Sequence, residues 1–268
     1  MARKPTARDL HALEAAQDIA YRAWEAPKAK RRALAEKALA TSPLCADAHV
    51  ILAMEEPAGS AEALAHWQRA VAAGAAALGP AGFREMEGEF WGWLETRPYM
   101  RALHGLAGAL WAAGQAEDAI AQAREMLRLN PNDNQGVRYE LLGWLLAEGR
   151  DDEVAALIDT YPEEGMAVWP WARTLLAFRR EGAGPAADAA LASAIEANSH
   201  VAPLLAGTKR RPKRPPAMYG WGDANEAAVV LEEIGAGWML TPGAIAWLKA
   251  KLPPVPARRP SHTSGTGS

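Results

Sequence analysis

The chain has 268 residues, of which 50% are hydrophobic and 23% are charged, and its formal net charge at pH 7 is -3. This length and composition are typical of a folded protein with a sizeable core, and they exclude a chain that is disordered throughout. A net charge this close to zero excludes a polycation that binds nucleic acid along its whole length. The one cysteine, Cys45, excludes an intrachain disulfide and a zinc site built from several thiolates.

The first residues carry no pattern typical of export. Asp9, Glu14 and Asp18 interrupt the stretch from Met1 to Trp24, which therefore lacks the apolar segment of a signal peptide. Nowhere does the sequence reach the run of about 18 apolar residues that a spanning helix needs. We therefore expect a cytoplasmic protein that has no membrane partner.

The hydrophobic pattern predicts helices almost everywhere. Apolar residues recur at intervals of three and four, Gly and Pro punctuate the segments, and alternating β-branched runs are lacking. A first helix pair is predicted at about 7–25 and 29–40, ending at Ser42-Pro43. A looser helical unit begins near Ala46.

An insertion follows, over residues 79–94. Four of the residues from 85 to 95 are glutamates, and such carboxylates suggest paired catalytic acids, but nothing in the sequence fixes the separation that acid–base chemistry needs. The preferred interpretation is a solvated acidic loop whose Phe90, Trp91 and Trp93 cover the neighbouring helices. We predict no catalytic residue, here or elsewhere, and hence no enzyme.

The central part of the chain shows a repeat of about 34 residues, the length of a tetratricopeptide unit. Aligning the helix end at Leu129-Asn130-Pro131 with the last position of such a unit puts successive unit starts at Met100, Asn134 and Val168. Gly114, Gly149 and Gly182 then lie near the turns within the units. The period predicts an all-α, right-handed α-solenoid of tetratricopeptide-like helix pairs with C-terminal capping helices.

The predicted organisation therefore has five parts. Residues 1–78 form N-terminal helical repeats, 79–94 form the insertion loop, and 95–207 form three clear repeats. Residues 208–252 form a basic linker and two capping helices, at about 223–234 and 242–251. Residues 253–268, rich in Pro, Arg, Ser, Thr and Gly, form a disordered tail.

Three segments resemble a known family. Residues 95–101 (ETRPYMR) and 127–139 (LRLNPNDNQGVRY) are similar to a group of bacterial and fungal tetratricopeptide proteins of unknown role. Residues 194–201 (AIEANSHV) resemble a segment of the animal suppressor of tumorigenicity proteins, although Ser199 stands where that family usually has proline and no segment matches its membrane spans. The resemblance covers roughly residues 90–248. It implies a helical-repeat fold and brings no catalytic residues.

The repeat register also predicts a binding groove. The first helix of each tetratricopeptide pair lines the concave surface, and this places there Arg101, His104, Trp111, Gln135, Arg138, Tyr139 and Arg173. Arginine presents a planar donor fork that suits carboxylates, and aromatic faces pack against apolar ligand groups. We therefore expect a scaffold or adaptor that binds a protein or an extended peptide, acidic or C-terminal. The alternative is that these arginines pair with Glu140 or Glu164 inside the protein.

A basic patch is the basis of a second hypothesis. Five cations stand close together in the linker, namely Lys209, Arg210, Arg211, Lys213 and Arg214. Such a cluster can bind phosphate backbones, which would make the chain a nucleic-acid-associated protein, although a solvated linker is the more common interpretation. We do not expect nucleic acid to be the main partner.

No metal or cofactor site is predicted. None of the six histidines forms a helical pair or a motif typical of a metal site, and each is interpreted as a surface or packing residue. Cys45 is interpreted as a small buried apolar residue.

Overall fold

The computed structural model describes residues 5–213 and 216–253, and this part of the chain is all helical, with no strand. The helices, in chain order, are α1 (Ala7–Glu25), α2 (Lys28–Thr41), α3 (Ala46–Glu55), α4 (Ala61–Met86), α5 (Arg97–Ala112), α6 (Ala116–Leu129), α7 (Val137–Ala147), α8 (Asp151–Thr160), α9 (Val168–Glu181), α10 (Pro185–Ala197), α11 (Val201–Leu205), α12 (Ala224–Leu240) and α13 (Ala244–Lys251). The all-α prediction is confirmed. Arg214 and residues 254–268, which include most of the predicted tail, lie outside the described residues.

Local chemistry sets several helix starts. Thr6 and Asp9 form a capping box, in which each side chain accepts a hydrogen bond from the backbone N–H of the other residue. Ser60 caps α4, and Asp223 caps α12 through the backbone N–H groups of Asn225 and Glu226. Each of these starts depends on residues within one turn of the helix.

Glycines set the turns inside three helix pairs. Gly114, Gly149 and Gly182 lie after α5, α7 and α9, and their φ angles are 74°, 70° and 73°. Only glycine adopts this left-handed conformation without steric cost, so it ends one helix and lets the chain reverse into the next.

The chain divides into two compact units, Met1–Trp144 and Leu145–Ser268. In the first unit, α1 packs on α2 and α3, α3 packs on α4 and α5, and α5 packs on α6. Its N-terminal core is built largely from alanines that are fully buried, among them Ala16, Ala20, Ala35, Ala38 and Ala48. Because alanine is small, these helices approach closely, and Ile19, Ile51 and Leu52 are the larger aliphatic side chains buried in this core.

The insertion at residues 79–94 differs from the predicted loop. Helix α4 continues as far as Met86 after a kink at Gly79, whose φ is 61°, and only the residues after Met86 form turns. Phe90 is fully buried, with its ring centroid 5.4 Å from that of Phe83 and 6.2 Å from that of Tyr99. The Phe90 N–H donates to the Leu129 carbonyl at 3.2 Å. Phe90 therefore covers the neighbouring helices, whereas Trp93 remains exposed.

The second unit is built around aromatic side chains. Trp171 and Trp238 are fully buried, with ring centroids 5.9 Å apart, and the Trp247 ring stacks on Trp238 at 6.5 Å. Arg179 of α9 hydrogen-bonds to α7, to α8 and to the C-terminal end of α12. Its guanidinium donates to Asp151 Oδ1, to Thr241 Oγ1 and to the carbonyls of Leu146 and Gly237, at 2.7–3.2 Å.

Candidate functional site

A cleft of about 320 Å³ opens on the surface of the first unit. Its walls combine aromatic, apolar and charged side chains from five helices: Trp24 of α1, Val50 and Met54 of α3, Trp67 of α4, Arg101 and His104 of α5, and Glu140 of α7. We call it the Trp67 cleft. Of the residues that the sequence predicts for a groove, Arg101 and His104 lie here.

The apolar wall of the Trp67 cleft depends on a close approach between Trp67 and Gly105. A Cβ atom added to Gly105 would lie 2.0 Å from Cζ3 of the Trp67 ring, so the indole occupies the space that any other residue would need. A Cβ atom added to Gly108, one turn further along α5, would have no heavy atom within 4 Å. Met54 is 55% exposed at the cleft, which offers a large apolar group to a ligand.

Arg101 is held by a buried carboxylate. Its Nε donates to Asp47 Oδ1 at 2.9 Å and its Nη2 donates to Oδ2 at 2.5 Å, while Gln17 Nε2 also donates to Oδ2. Burial lowers the pKa of Arg101, but the hydrogen bonds and charge of Asp47 outweigh it, so this pKa lies above its ordinary value. The first role of Arg101 is therefore structural, because its hydrogen bonds to Asp47 join α5 to α3.

His104 contacts a carboxylate at the other side of the Trp67 cleft. Its Nε2 lies 2.7 Å from Glu140 Oε1, and both side chains are about one-third exposed. On the same two helices, the Trp111 ring stacks on Trp144 with centroids 5.1 Å apart and planes 13° from parallel. His104 and Trp111 thus lie on the α5 face that points toward α7.

Two of the predicted groove residues, Arg138 and Tyr139, contact each other at the start of α7. Arg138 Nη1 donates to Asp133 Oδ2 at 2.9 Å, and Nη2 donates to the Tyr139 hydroxyl at 3.0 Å. The Arg138 guanidinium carbon also lies 4.6 Å from the centre of the Tyr139 ring. Gln135 Oε1 is buried and accepts no hydrogen bond from any described residue.

Arg173 belongs to the second unit. It lies on α9 with an exposed side chain, and it forms no ion pair with any residue that the structure describes. Of the other two groove arginines, Arg101 pairs with Asp47 and Arg138 pairs with Asp133, so each has a carboxylate partner inside the protein.

The basic patch also lies in the second unit. Lys209, Arg210, Arg211 and Lys213 are exposed, and Arg211 Nη2 donates to the Leu231 carbonyl at 3.0 Å. Lys209, Arg210 and Arg211 line a cleft of about 580 Å³ together with apolar residues that include Leu204, Leu231 and Met239. The fifth cation, Arg214, is outside the described residues.

Sequence reasoning missed Asp47 and the aromatic wall of the Trp67 cleft. A signal for Asp47 was present, because it is a lone acidic residue in a segment whose other members, from Ala46 to Ala53, are mainly apolar. Acidic residues are rarely buried without a partner, so such a position indicates a buried ion pair. No comparable signal marks Trp24, Met54 or Trp67, because their proximity depends on how three helices pack.

Among the described residues, no group of three or more His, Cys, Asp and Glu side chains could hold a metal ion. Within the same residues, no helix has both the length and the apolar character required to cross a membrane. Comparison with known proteins identifies no relative, because no family model, no curated protein and no solved structure matches the chain.

Proposed function

We propose that this chain is a non-enzymatic scaffold or adaptor of tetratricopeptide-like helix pairs, and that it binds a peptide or partner protein in the Trp67 cleft. The observation that carries the proposal is that the first helices of four successive pairs, α1, α3, α5 and α7, supply most of the cleft. In a tetratricopeptide solenoid these helices line the binding surface. The contacts of α3 with both α1 and α5 agree with that arrangement.

The residues of the Trp67 cleft favour a ligand with an apolar anchor. Trp24, Met54 and Trp67 form an apolar wall, and buried apolar anchors supply most of the binding energy at protein interfaces. The Arg101 side chain is 28% exposed although its guanidinium binds Asp47 and also interacts with Tyr21. A carboxylate of an acidic or C-terminal peptide is the group that the exposed part of this guanidinium would bind. The arginine would thus orient the ligand, and the apolar wall would hold it.

A native-extract pull-down read by mass spectrometry tests the proposal. Met54→Glu places a charge on the apolar wall, and its matched control is Met218→Glu, because Met218 is also an exposed methionine, at 82%, but lies in the second unit. We expect a partner that the wild type and Met218→Glu retain and that Met54→Glu loses. Retention of every partner by Met54→Glu would contradict the proposal.

The nucleic-acid hypothesis is tested in the same experiment. A third bait replaces the five cations of residues 209–214 with glutamine. Loss of binding only in this bait, or nucleic acid in the wild-type eluate, would favour binding through the basic patch, and such binding should weaken steeply with added salt.

A further inference from the structure

A second cleft of the first unit, of about 500 Å³, lies on α1. Along α1 it is lined by Leu10, Leu13, Glu14, Gln17, Asp18 and Tyr21, which recur at intervals of three and four and so form one stripe of about three turns, or roughly 16 Å. The opposite wall combines the end of α4 with residues 94–98. We call this feature the α1 cleft.

The floor of the α1 cleft is apolar and uncovered. Leu10 is 44% exposed, Tyr21 is 47% exposed and Leu94 is 65% exposed. Leu78 and Met86 of α4 also line the cleft. The kink of α4 at Gly79 falls between these last two residues. Single exposed apolar residues are ordinary on any protein surface. Several exposed apolar residues in one cleft, by contrast, indicate an interaction surface.

The charge at the α1 cleft is acidic. Its three charged lining residues are Glu14, Asp18 and Glu95, and no described Lys, Arg or His residue lines it. Glu14 lies 3.6 Å from the exposed His11, whereas Asp18 and Glu95 form no side-chain ion pair with any described residue. The cleft therefore presents two unneutralised carboxylates beside an apolar floor.

We propose that the α1 cleft docks a basic amphipathic helix of a partner protein. A linear stripe with a spacing of three and four residues matches the face of another helix, whose apolar residues at i, i+3, i+4 and i+7 would pack along it. Lysines or arginines beside that apolar face would lie against Asp18 and Glu95. This docking surface is separate from the Trp67 cleft and does not depend on the function proposed there.

The test measures binding of two synthetic helical peptides that share one leucine face, with lysine elsewhere in the first and glutamate elsewhere in the second. We expect the wild type to bind the lysine peptide, and Asp18→Lys combined with Glu95→Lys to weaken this binding at least about tenfold. The same variant should gain affinity for the glutamate peptide. Asp159→Lys with Glu163→Lys makes the same change of net charge at exposed residues of the second unit and should bind as the wild type does.

The apolar floor has its own matched pair of variants. Leu94→Ser should weaken binding of the lysine peptide several-fold, whereas Leu240→Ser, at a residue of similar exposure in the second unit, should not. The proposal is overturned if the wild type does not bind the lysine peptide. It is also overturned if Asp18→Lys with Glu95→Lys binds this peptide as well as Asp159→Lys with Glu163→Lys does. It is also overturned if the wild type binds both peptides alike, or if Asp18→Lys with Glu95→Lys abolishes self-association in sedimentation experiments, since a second copy would then be the occupant.

Discussion

The Arg101 guanidinium on α5 donates two hydrogen bonds, of 2.9 Å and 2.5 Å, to the fully buried Asp47 carboxylate on α3. The two residues are 54 positions apart in the sequence. Asp47→Ala would leave the half-buried guanidinium without its counter-charge. We expect a loss of about 3 kcal/mol in the free energy of unfolding, measured by urea denaturation. The control is Glu56→Ala, which breaks the more exposed Arg32–Glu56 pair and should cost less than about 1 kcal/mol. Equal losses in the two variants would contradict a structural role for the Asp47 pair.

Two glycines on α5 should respond oppositely to the same substitution. Gly105→Ala forces the Trp67 ring to move, because the new Cβ would lie 2.0 Å from it, and we expect a lower melting temperature and a misshapen Trp67 cleft. Gly108→Ala meets open space on the same helix and should raise stability by about 0.5–1 kcal/mol through helix propensity. Thermal unfolding of the two variants measures the difference. A stabilising Gly105→Ala would show that Trp67 does not pack on α5.

Stability should fall in mild acid because of a histidine pair between α3 and α4. The Nδ1 atoms of His49 and His66 lie 3.4 Å apart, and burial, reinforced by His66 and Arg69, lowers the pKa of His49 from 6.5 to about 4. Burial also lowers the pKa of His66. The unfolded chain therefore binds more protons than the folded chain between these pH values, so the free energy of unfolding falls as the pH decreases from about 6.5 to about 4.

Urea denaturation across that pH range measures the effect. His49→Leu removes the titrating group and should make the pH dependence shallower. His11→Leu, at a residue that is 87% exposed, should leave the dependence as it is in the wild type. An unchanged slope in His49→Leu would contradict the prediction.

The buried carboxylate of Glu226, in the first turn of α12, accepts hydrogen bonds from three other segments of the second unit. Glu226 is 1% exposed; its Oε1 accepts from the Ala167 N–H at 3.0 Å, and its Oε2 accepts from Asn198 Nδ2 and from the Gly222 N–H at 2.7–2.8 Å. Glu226→Gln would turn an amide NH₂ toward one of these donors and leave that donor unsatisfied. We expect a loss of about 2 kcal/mol, measured by thermal unfolding. The exposed Glu232→Gln serves as control and should have little effect; equal melting temperatures would contradict the prediction.

The boundaries of the first helix pair were predictable, and the insertion shows where prediction stops. The predicted helices at about 7–25 and 29–40 agree closely with α1 and α2, because capping residues and apolar spacing act within a few residues of each boundary. Residues 80–86 were predicted as loop but form helix beyond Gly79, whose φ of 61° and ψ of 174° interrupt the helical backbone of α4. Glycine followed by proline marks such an interruption in the sequence, but it does not tell whether a loop or another helical segment follows.

The sequence by itself determined the all-helical class and the glycine turns, because both follow from short-range steric and hydrogen-bonding rules. It also identified Arg101 and His104 as residues of one surface, since helical spacing places them on one face of α5. Only the tertiary structure decided which charges are neutralised: Asp47 pairs with Arg101, while Asp18 and Glu95 form no side-chain ion pair within the described part of the chain. The physical reason is that a charge pair depends on the packing of helices distant in sequence, and local spacing carries no information about that packing.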